Sequence, residues 1–385
     1  RSPERPLRGM DAYELYFVIH AFITVYEESG DKNALDAAVK LCDYITRYIG
    51  PGKVEFWPSD LKYPDNVNKR VGGHSLVAGH GGHYGWEGTM LIDPVVRLYE
   101  KTGNNEYLEW GKWITENIDK WSGWNAFSKL DLIADGKLGI HDIQPNVHSH
   151  THHMNFLGFL RLYRLTGDKS LLRKVQGVWD DINRRQMYIT GGVSVHESYQ
   201  RGYIKPLTGN VVETCATMSW MLLSQFLLEL TGDVKYADAM ERLMLNHVLA
   251  SQTCDGDGLR YYTAPNGYKP SNYYRTPDCC SASRHRIISM LPTFFYAENE
   301  NNFYINQYIA SDYKGKDFRF KLETTYPESE NIKIVFRLDK PVKKDIHLRI
   351  PGWCTNAQVI VNGEKVNGTQ PGTYCTLSKQ WTNQD

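Results

Sequence analysis

Three cysteines and one glutamate are the residues of this chain best suited to chemistry. Cys279 and Cys280 are adjacent, and Glu213 and Cys215 are separated by one residue. Thiolate sulfur together with a carboxylate oxygen is a ligand set that zinc accepts. If the four side chains converge, the sequence predicts a metal–thiolate site. A closed structural zinc site is the usual case for four protein ligands, and a site without metal is the other alternative.

The two ligand pairs require a particular backbone. Residues i and i+2 point to different sides of a helix, so Glu213 and Cys215 can share a metal only in an extended segment or at a helix start. The preceding residues 211–212 are β-branched and favour an extended entry. Ser281 and Ser283 follow the cysteine pair and suit a helix cap. We therefore expect both pairs at helix N-termini, where amide donors and the helix dipole favour thiolates.

Glu197 is a candidate of a second kind. It ends a segment, 188–197, that contains the pair Gly191-Gly192 and therefore predicts a loop. A carboxylate on a loop at the mouth of a helical domain can act as a general acid or base. The alternative is an ordinary solvated loop glutamate.

Composition excludes several classes of partner. The 385 residues contain 44 Lys+Arg and 44 Asp+Glu, and this balance argues against nucleic acid or an anionic membrane as partner. No apolar run approaches the roughly 18 residues needed to span a bilayer. Metal-bound thiolates favour a reducing compartment, so a soluble protein of the bacterial cytoplasm is expected, with the periplasm and a homodimer left open.

The cysteine count limits disulfide bonding. Seven cysteines cannot all pair within the chain. Four of them lack ligand-like spacing and are interpreted as small buried hydrophobes, with a bridge between the last two as an exception: Cys42, Cys254, Cys354 and Cys375.

A short turn signature recurs between apolar helical stretches. A glycine is preceded by Ser or Thr and followed by Asp or Asn at Gly30, Gly103, Gly167 and Gly232. Glycine ends one helix in the left-handed conformation, and the next residue caps the following helix. Four αα-hairpins in series predict a mainly α protein with an (α/α)6 toroid. With a further helix over 283–297, nine helices are predicted where a ring of six hairpins needs twelve, so the N-terminal helices of the toroid are expected to be lacking here.

The pattern changes after residue 298. Apolar residues alternate with polar ones over 332–338 and 346–350, and Asn362-Gly363 is a strong hairpin signal. We therefore expect two domains, an α/α-toroid catalytic domain over 1–298 and a β-sandwich domain over 299–385 that is itself incomplete.

Together these motifs resemble glycoside hydrolase family 127, the β-L-arabinofuranosidases of the former DUF1680 group. The resemblance extends over essentially the whole chain and rests on Tyr188-Ile189-Thr190-Gly191-Gly192, Glu197, Glu213-Thr214-Cys215, Cys279-Cys280, Lys235-Tyr236-Ala237-Asp238 and Leu348-Arg349-Ile350-Pro351-Gly352-Trp353. It implies an (α/α)6 barrel followed by β-sandwich domains, with about a hundred residues ahead of the segment that begins here.

The resemblance also implies a mechanism. Glu197 would be the acid/base and Cys279 the nucleophile of a retaining exo-glycosidase, and Glu213, Cys215, Cys279 and Cys280 would bind Zn²⁺. The implied product is a terminal pentose, with β-L-arabinofuranose as the first choice, released from an oligosaccharide or glycoside of plant type. A toroid glycosidase or lyase that uses carboxylates beside a structural zinc, and a non-catalytic glycan-binding protein, are the alternatives.

Substrate contacts are less well defined. His148 aligns best with a sugar-binding histidine of the family, whereas Gly88 stands where members often carry another, so His80 or His83 is expected to replace it. Trp86 and Tyr199 are the candidates for stacking on a sugar. Because helices of the toroid are expected to be lacking, weak activity is expected from the isolated chain.

Overall fold

The computed structural model describes residues 9–53, 87–122, 126–143, 148–200, 205–269, 278–316 and 318–385. Among the described residues, the helices and the loops that join them lie before residue 295, and the strands begin at Tyr296. The helices are α1 (Gly9–Ser29), α2 (Lys32–Tyr48), α3 (Ile92–Thr102), α4 (Asn105–Ser122), α5 (Ala126–Ala134), α6 (Ser149–Thr166), α7 (Lys169–Asp181), α8 (Thr214–Thr231), α9 (Val234–Leu243) and α10 (Cys279–Met290). Single π-helical turns extend α7 over Ile182–Gln186 and α9 over Met244–Val248.

The four glycine turns form helical hairpins, as the sequence predicted. Their glycines are left-handed, with φ of 72° at Gly30, 69° at Gly103, 74° at Gly167 and 69° at Gly232. The residue after each glycine accepts a hydrogen bond from the backbone two residues further on, as Asp168 does from Ser170 N at 2.9 Å. The turns join α1 to α2, α3 to α4, α6 to α7 and α8 to α9.

The first helix of each hairpin lies on the inside. Helices α1, α3, α6 and α8 pack in succession, and α10 packs on α8. The Arg286 guanidinium of α10 lies over the Phe17 ring of α1 at 4.4 Å, so the last described inner helix contacts the first. Apart from their last turns, α6 and α8 are buried on nearly every face, whereas α7 and α9 bury one face, as expected for inner and outer layers. This arrangement confirms the α/α toroid.

Two helix boundaries differ from expectation. Helix α10 begins at Cys279 rather than Ser283, because Asp278 is the N-cap and accepts from Ser281 N at 2.8 Å. It ends at Met290, before a short 3₁₀ turn, and not near 297. Helix α5 lies between two hairpins, packs on α7, and was not expected because no glycine turn precedes it.

The C-terminal part is a β domain. Its strands are β1 (Tyr296–Glu298), β2 (Asn302–Ile305), β3 (Ser311–Lys314), β4 (Arg319–Thr324), β5 (Ile332–Phe336), β6 (Val342–Ile350), β7 (Val359–Val361), β8 (Glu364–Val366) and β9 (Thr373–Trp381). They form one sheet of order β1-β2-β6-β9, a second of order β3-β4-β5, and the hairpin β7-β8. All pairs are antiparallel except β2 with β6.

Aromatic and aliphatic side chains fill the core of the β domain, which includes Phe303, Phe320, Phe336 and Trp381. At the β7-β8 turn, Asn362 and Gly363 have φ of 53° and 87°, so the predicted hairpin turn is present.

All seven cysteines are unpaired. Cys42 and Cys375 are buried, as predicted. Cys254 is exposed and Cys354 is partly exposed, so the interpretation of these two as buried hydrophobes is wrong, and no bridge joins Cys354 to Cys375. Both lie in surface turns, where a small residue needs no apolar neighbours.

Within the described ranges, no helix combines the length and the apolar character that crossing a membrane requires.

Candidate active site

The four predicted ligand side chains converge. One ligand atom from each of Glu213, Cys215, Cys279 and Cys280 lies within 4.8 Å of the others. The Cys280 Sγ is 3.4 Å from the Cys215 Sγ and 3.7 Å from the Glu213 Oε1.

The starts of two packed helices bring these atoms together. Glu213 is the N-cap residue of α8 in an extended conformation (φ −69°, ψ 139°), and Cys215 follows in the first turn. Cys279 and Cys280 are the first two residues of α10. The Cys215 amide donates to the Cys280 Sγ at 3.4 Å. An amide at the start of α8 therefore faces the Cys280 sulfur, and a helix start is a favourable environment for thiolates.

The cluster is suited to a cation. The Glu213 Oε2 is buried and has no hydrogen-bond partner among the described residues. Burial raises the pKa of Glu213 to about 8 and raises the pKa values of the Cys215 and Cys280 thiols well above their usual range. A buried carboxylate with one oxygen left unsatisfied is costly, and a positive ion among these groups would remove that cost. The four residues can therefore hold a metal ion.

Cys279 differs from the other two thiols of the cluster. Cys215 and Cys280 are buried, whereas Cys279 is partly exposed. The neighbouring thiols of Cys215 and Cys280 lower the pKa of Cys279 well below its usual value, and the Tyr261 phenol 3.3 Å away adds to the effect, although partial burial acts in the opposite direction. A sulfur that favours the thiolate form and is accessible to solvent has the properties of a nucleophile.

Glu197 lies beside this cluster and has three polar neighbours. The phenols of Tyr261 and Tyr262 both donate to its Oε1, each at 2.8 Å. The His148 Nε2 lies 3.6 Å from its Oε2 and 3.9 Å from the Glu213 Oε1. The contact with His148, followed by the hydrogen bonds of the tyrosines, lowers the pKa of Glu197 to about 2, although partial burial acts in the opposite direction.

His148 is held in one orientation by the start of α6. Its side chain caps the helix and accepts from the Thr151 N–H at 3.5 Å through Nδ1, which assigns the proton to Nε2. Burial lowers the pKa of His148, but the carboxylates of Glu213 and Glu197 outweigh it and the net shift is upward. His148 therefore presents a donor between the two carboxylates.

The loop that carries Glu197 is strained. Ser194, His196 and Glu197 have φ of 101°, 47° and 65°, and Val212, just before the first ligand, has φ of 60°. Non-glycine residues in this region cost on the order of 1–3 kcal/mol each and persist where the surroundings impose them. Ser149 supplies part of that constraint, because its amide and hydroxyl donate to the Glu197 carbonyl at 2.8 and 2.9 Å.

Other predicted contacts fall elsewhere. His80, His83 and Trp86 lie outside the described residues. Tyr199 is only 3% exposed, and its ring packs beside His152 and His153. The expectation that Tyr199 stacks on a sugar is therefore corrected, because its ring is enclosed by inner-helix side chains.

Two residues of the site, Tyr261 and Tyr262, were not expected from the sequence. A β-bridge pairs Tyr262 with Glu213, and the Thr214 amide donates to the Tyr261 carbonyl at 3.0 Å, so this segment lies along the entry to α8. The adjacent pair of tyrosines is visible in the sequence, but no spacing rule connects it to Glu197.

Two protein-family models match most of this chain. The GH127 catalytic domain of β-L-arabinofuranosidases matches residues 72–293, and the GH127 middle domain matches residues 302–385. The non-reducing end β-L-arabinofuranosidase of Bifidobacterium longum subsp. longum is 24% identical over a gapped alignment of 406 positions, which covers 93% of this chain and 57% of that protein.

Two solved structures have the same fold. A GH127 β-arabinofuranosidase is 25% identical with a TM-score of 0.75, over 97% of this chain and 58% of the other. The GH127 β-L-arabinofuranosidase Ara127N from Geobacillus stearothermophilus T6 is 24% identical with a TM-score of 0.76, over 97% and 60%. The chain thus spans somewhat more than half the length of these relatives.

Proposed function

Because this chain belongs to the GH127 family of β-L-arabinofuranosidases, we propose that it is a retaining exo-glycosidase that releases terminal β-L-arabinofuranose from plant-type glycans. The single observation that carries the mechanism is the Tyr261 hydroxyl, which contacts both the Glu197 Oε1 and the Cys279 Sγ. The two groups are therefore at most about 6 Å apart, near the roughly 5–5.5 Å between the two carboxyl groups of retaining glycosidases.

In the first step Glu197 is the acid and Cys279 the nucleophile. Both phenols donate to Oε1 of Glu197, so Oε2 is the oxygen that transfers the proton. Because the same donors hold the pKa of Glu197 at about 2, substrate binding must raise that pKa before this step. That proton passes to the glycosidic oxygen while the Cys279 thiolate attacks the anomeric carbon. The carbon–oxygen bond breaks, its electron pair leaves with the aglycone oxygen, and a carbon–sulfur bond forms.

In the second step Glu197 is the base. It takes a proton from a water molecule, the water oxygen attacks the anomeric carbon, and the carbon–sulfur bond breaks with its electron pair returning to Cys279. The donors from His148, Tyr261 and Tyr262 stabilise the ionised carboxylate that this step needs. Two displacements at one carbon return the sugar with its original configuration.

We further propose that Glu213, Cys215, Cys279 and Cys280 hold a zinc ion. When bound, zinc would supply positive charge that keeps the thiols ionised at neutral pH. The buried Glu213 oxygen without a partner and the set of three sulfurs and one oxygen support this assignment.

The test compares two variants with a control. Cys279→Ser and Glu197→Gln are assayed on alkyl and nitrophenyl arabinofuranosides and on nitrophenyl arabinopyranosides, beside Cys254→Ser, which alters an exposed thiol outside the site. We expect Cys279→Ser to lose at least about 10³-fold in kcat and Glu197→Gln about 10²–10⁴-fold on substrates with poor leaving groups. NMR of the first-formed product should show the β anomer.

Two results would contradict the proposal. Full turnover by Cys279→Ser beside an inactive Glu197→Gln would mean that the thiol is not the nucleophile and that a carboxylate takes its place. A preference for pyranosides would contradict the assigned sugar.

A further inference from the structure

Arg349 of β6 connects the β domain to helix α9 of the toroid through ion pairs. Its side chain is fully buried, and its guanidinium forms ion pairs with Asp238 and Glu241 of α9. Its Nε donates to the Asn306 carbonyl at 2.6 Å. A buried guanidinium is retained only where such partners satisfy it, so this contact fixes the position of α9 against the sheet.

Neighbouring residues reinforce the same contact. The Gly352 amide donates to the Asp238 Oδ2 at 2.9 Å, and the Trp353 Nε1 donates to the Glu241 Oε1 at 3.1 Å. A Cβ at residue 352 would lie 2.9 Å from the Asp238 Oδ2, so a larger residue there would displace the carboxylate. The proposed chemistry gives no role to the Leu348–Trp353 segment or to the 235–238 motif of α9. The contacts above show that they form one interface between the β domain and the toroid.

The far end of α9 supports the Gly191-Gly192 turn. A Cβ on Gly191 would lie 2.8 Å from the Leu243 backbone, at the last residue of α9. A Cβ on Gly192 would lie 2.3 Å from the Val212 Cγ1 and 3.2 Å from the His247 Nδ1. The turn is therefore in close backbone contact with α9 on one side and with the residue preceding Glu213 on the other.

Glu197 follows this turn by five residues on a strained backbone. Positive φ values at Ser194, His196 and Glu197 need a constraint from outside the loop. The end of α9 supplies one at Gly191, and α9 is itself held by Arg349. If α9 shifted, the turn would lose this support, and only hydrogen bonds to Ser149, Asn210 and Val212 would hold the strained loop.

We propose that Arg349 is a positioning residue for the acid/base: the β domain, through α9 and the glycine turn, holds Glu197 in its catalytic orientation. The inference rests on the proposed role of Glu197. In this proposal the β domain contributes to the reaction by positioning Glu197 and not by contacting the sugar.

The test uses Arg349→Met with Lys344→Met as the matched control. Lys344 also forms an ion pair, with Glu298 at 2.8 Å, but inside the β domain. Each variant is assayed for kcat/KM, which reports only the first step, on an alkyl arabinofuranoside, which needs protonation of its leaving oxygen, and on a dinitrophenyl arabinofuranoside, which does not. We expect Arg349→Met to lose about tenfold on the alkyl substrate, a fraction of the 10²–10⁴-fold that a general acid supplies, with little loss on the dinitrophenyl one.

A double-mutant cycle identifies the route. In a Glu197→Gln background, Arg349→Met should cause no further loss on the alkyl substrate, because the group it positions is gone. Amide hydrogen exchange over 190–198 should accelerate in Arg349→Met and stay unchanged in Lys344→Met. Trp353→Phe, which removes one hydrogen bond to Glu241, repeats the measurement if Arg349→Met does not fold.

The outcomes are distinct. Equal losses on both substrates, or the same loss with and without the Glu197 carboxyl, would show that Arg349 only stabilises the fold and would overturn the inference. An unimpaired Glu197→Gln enzyme would instead overturn the proposed function.

Discussion

Replacing Tyr262 by phenylalanine tests the electrostatics of the acid/base. The phenol has one described hydrogen-bond partner, the Glu197 Oε1 at 2.8 Å, so Tyr262→Phe removes one donor and leaves the ring in place. Tyr261 still donates to the same oxygen at 2.8 Å. The variant therefore changes the charge stabilisation at Glu197 more than its position.

The magnitude follows from the hydrogen bond. A bond to a charged group contributes about 1.5–3 kcal/mol, and a pKa unit corresponds to about 1.4 kcal/mol. Because a second phenol remains, we take the lower end and expect the pKa of Glu197 to rise by about one unit. The sign is upward because Tyr262 stabilises the ionised form, as its contribution to the lowered pKa of about 2 shows.

The assay is the pH dependence of kcat on an alkyl arabinofuranoside, whose poor leaving group makes the acid-catalysed step limiting. The alkaline limb reports loss of the acid's proton from the enzyme–substrate complex, so it should move to higher pH in Tyr262→Phe. Tyr188→Phe is the control, because the Tyr188 hydroxyl donates to the Pro206 carbonyl at 2.8 Å and not to Glu197. An alkaline limb that stays in place or moves to lower pH would refute the reasoning.

Three further predictions concern the metal and the fold. Chelation should abolish activity and lower the melting temperature, and one equivalent of Zn²⁺ should restore both; an enzyme unaffected by chelation would contradict the metal assignment. Asp93→Asn should lower the free energy of unfolding by about 3–5 kcal/mol at neutral pH, because it removes one partner of the buried ion pair with Arg161. Burial raises the pKa of Asp93, but Arg161 and His20 outweigh burial and hold that pKa well below 3.8. That depressed pKa stabilises the fold above pH 4, so the difference between wild type and variant in urea titrations should shrink as the pH falls below 4, and a constant difference would contradict it. Gly177→Ala should destabilise by about 1–3 kcal/mol in thermal melts, because its Cβ would lie 2.4 Å from the Ala134 Cα, and an unchanged melting temperature would show that α5 moves freely.

Features of this chain that depend on a few neighbouring residues could be predicted, whereas features that join distant residues could not. The glycine turns were predictable, because a left-handed residue at Gly103 or Gly232 followed by a cap depends only on the few residues around it. The ligand types at Glu213 and Cys279 were also visible, because thiolate and carboxylate chemistry belongs to the side chains themselves. The predicted start of α10 was four residues too late, because Asp278 and Ser283 can both cap a helix. The tertiary structure, and not the local sequence, determines which of them is the N-cap.

Tertiary packing alone decided how the candidate groups face one another. Tyr261 bridges Glu197 and Cys279 across 64 and 18 residues of chain, and Tyr199 is enclosed among inner helices although it lies two residues from Glu197. Local dihedral preferences set turns and helix starts. Distances between groups far apart in the chain depend instead on how α6, α8 and α10 pack, which is a sum over many contacts that no short segment contains.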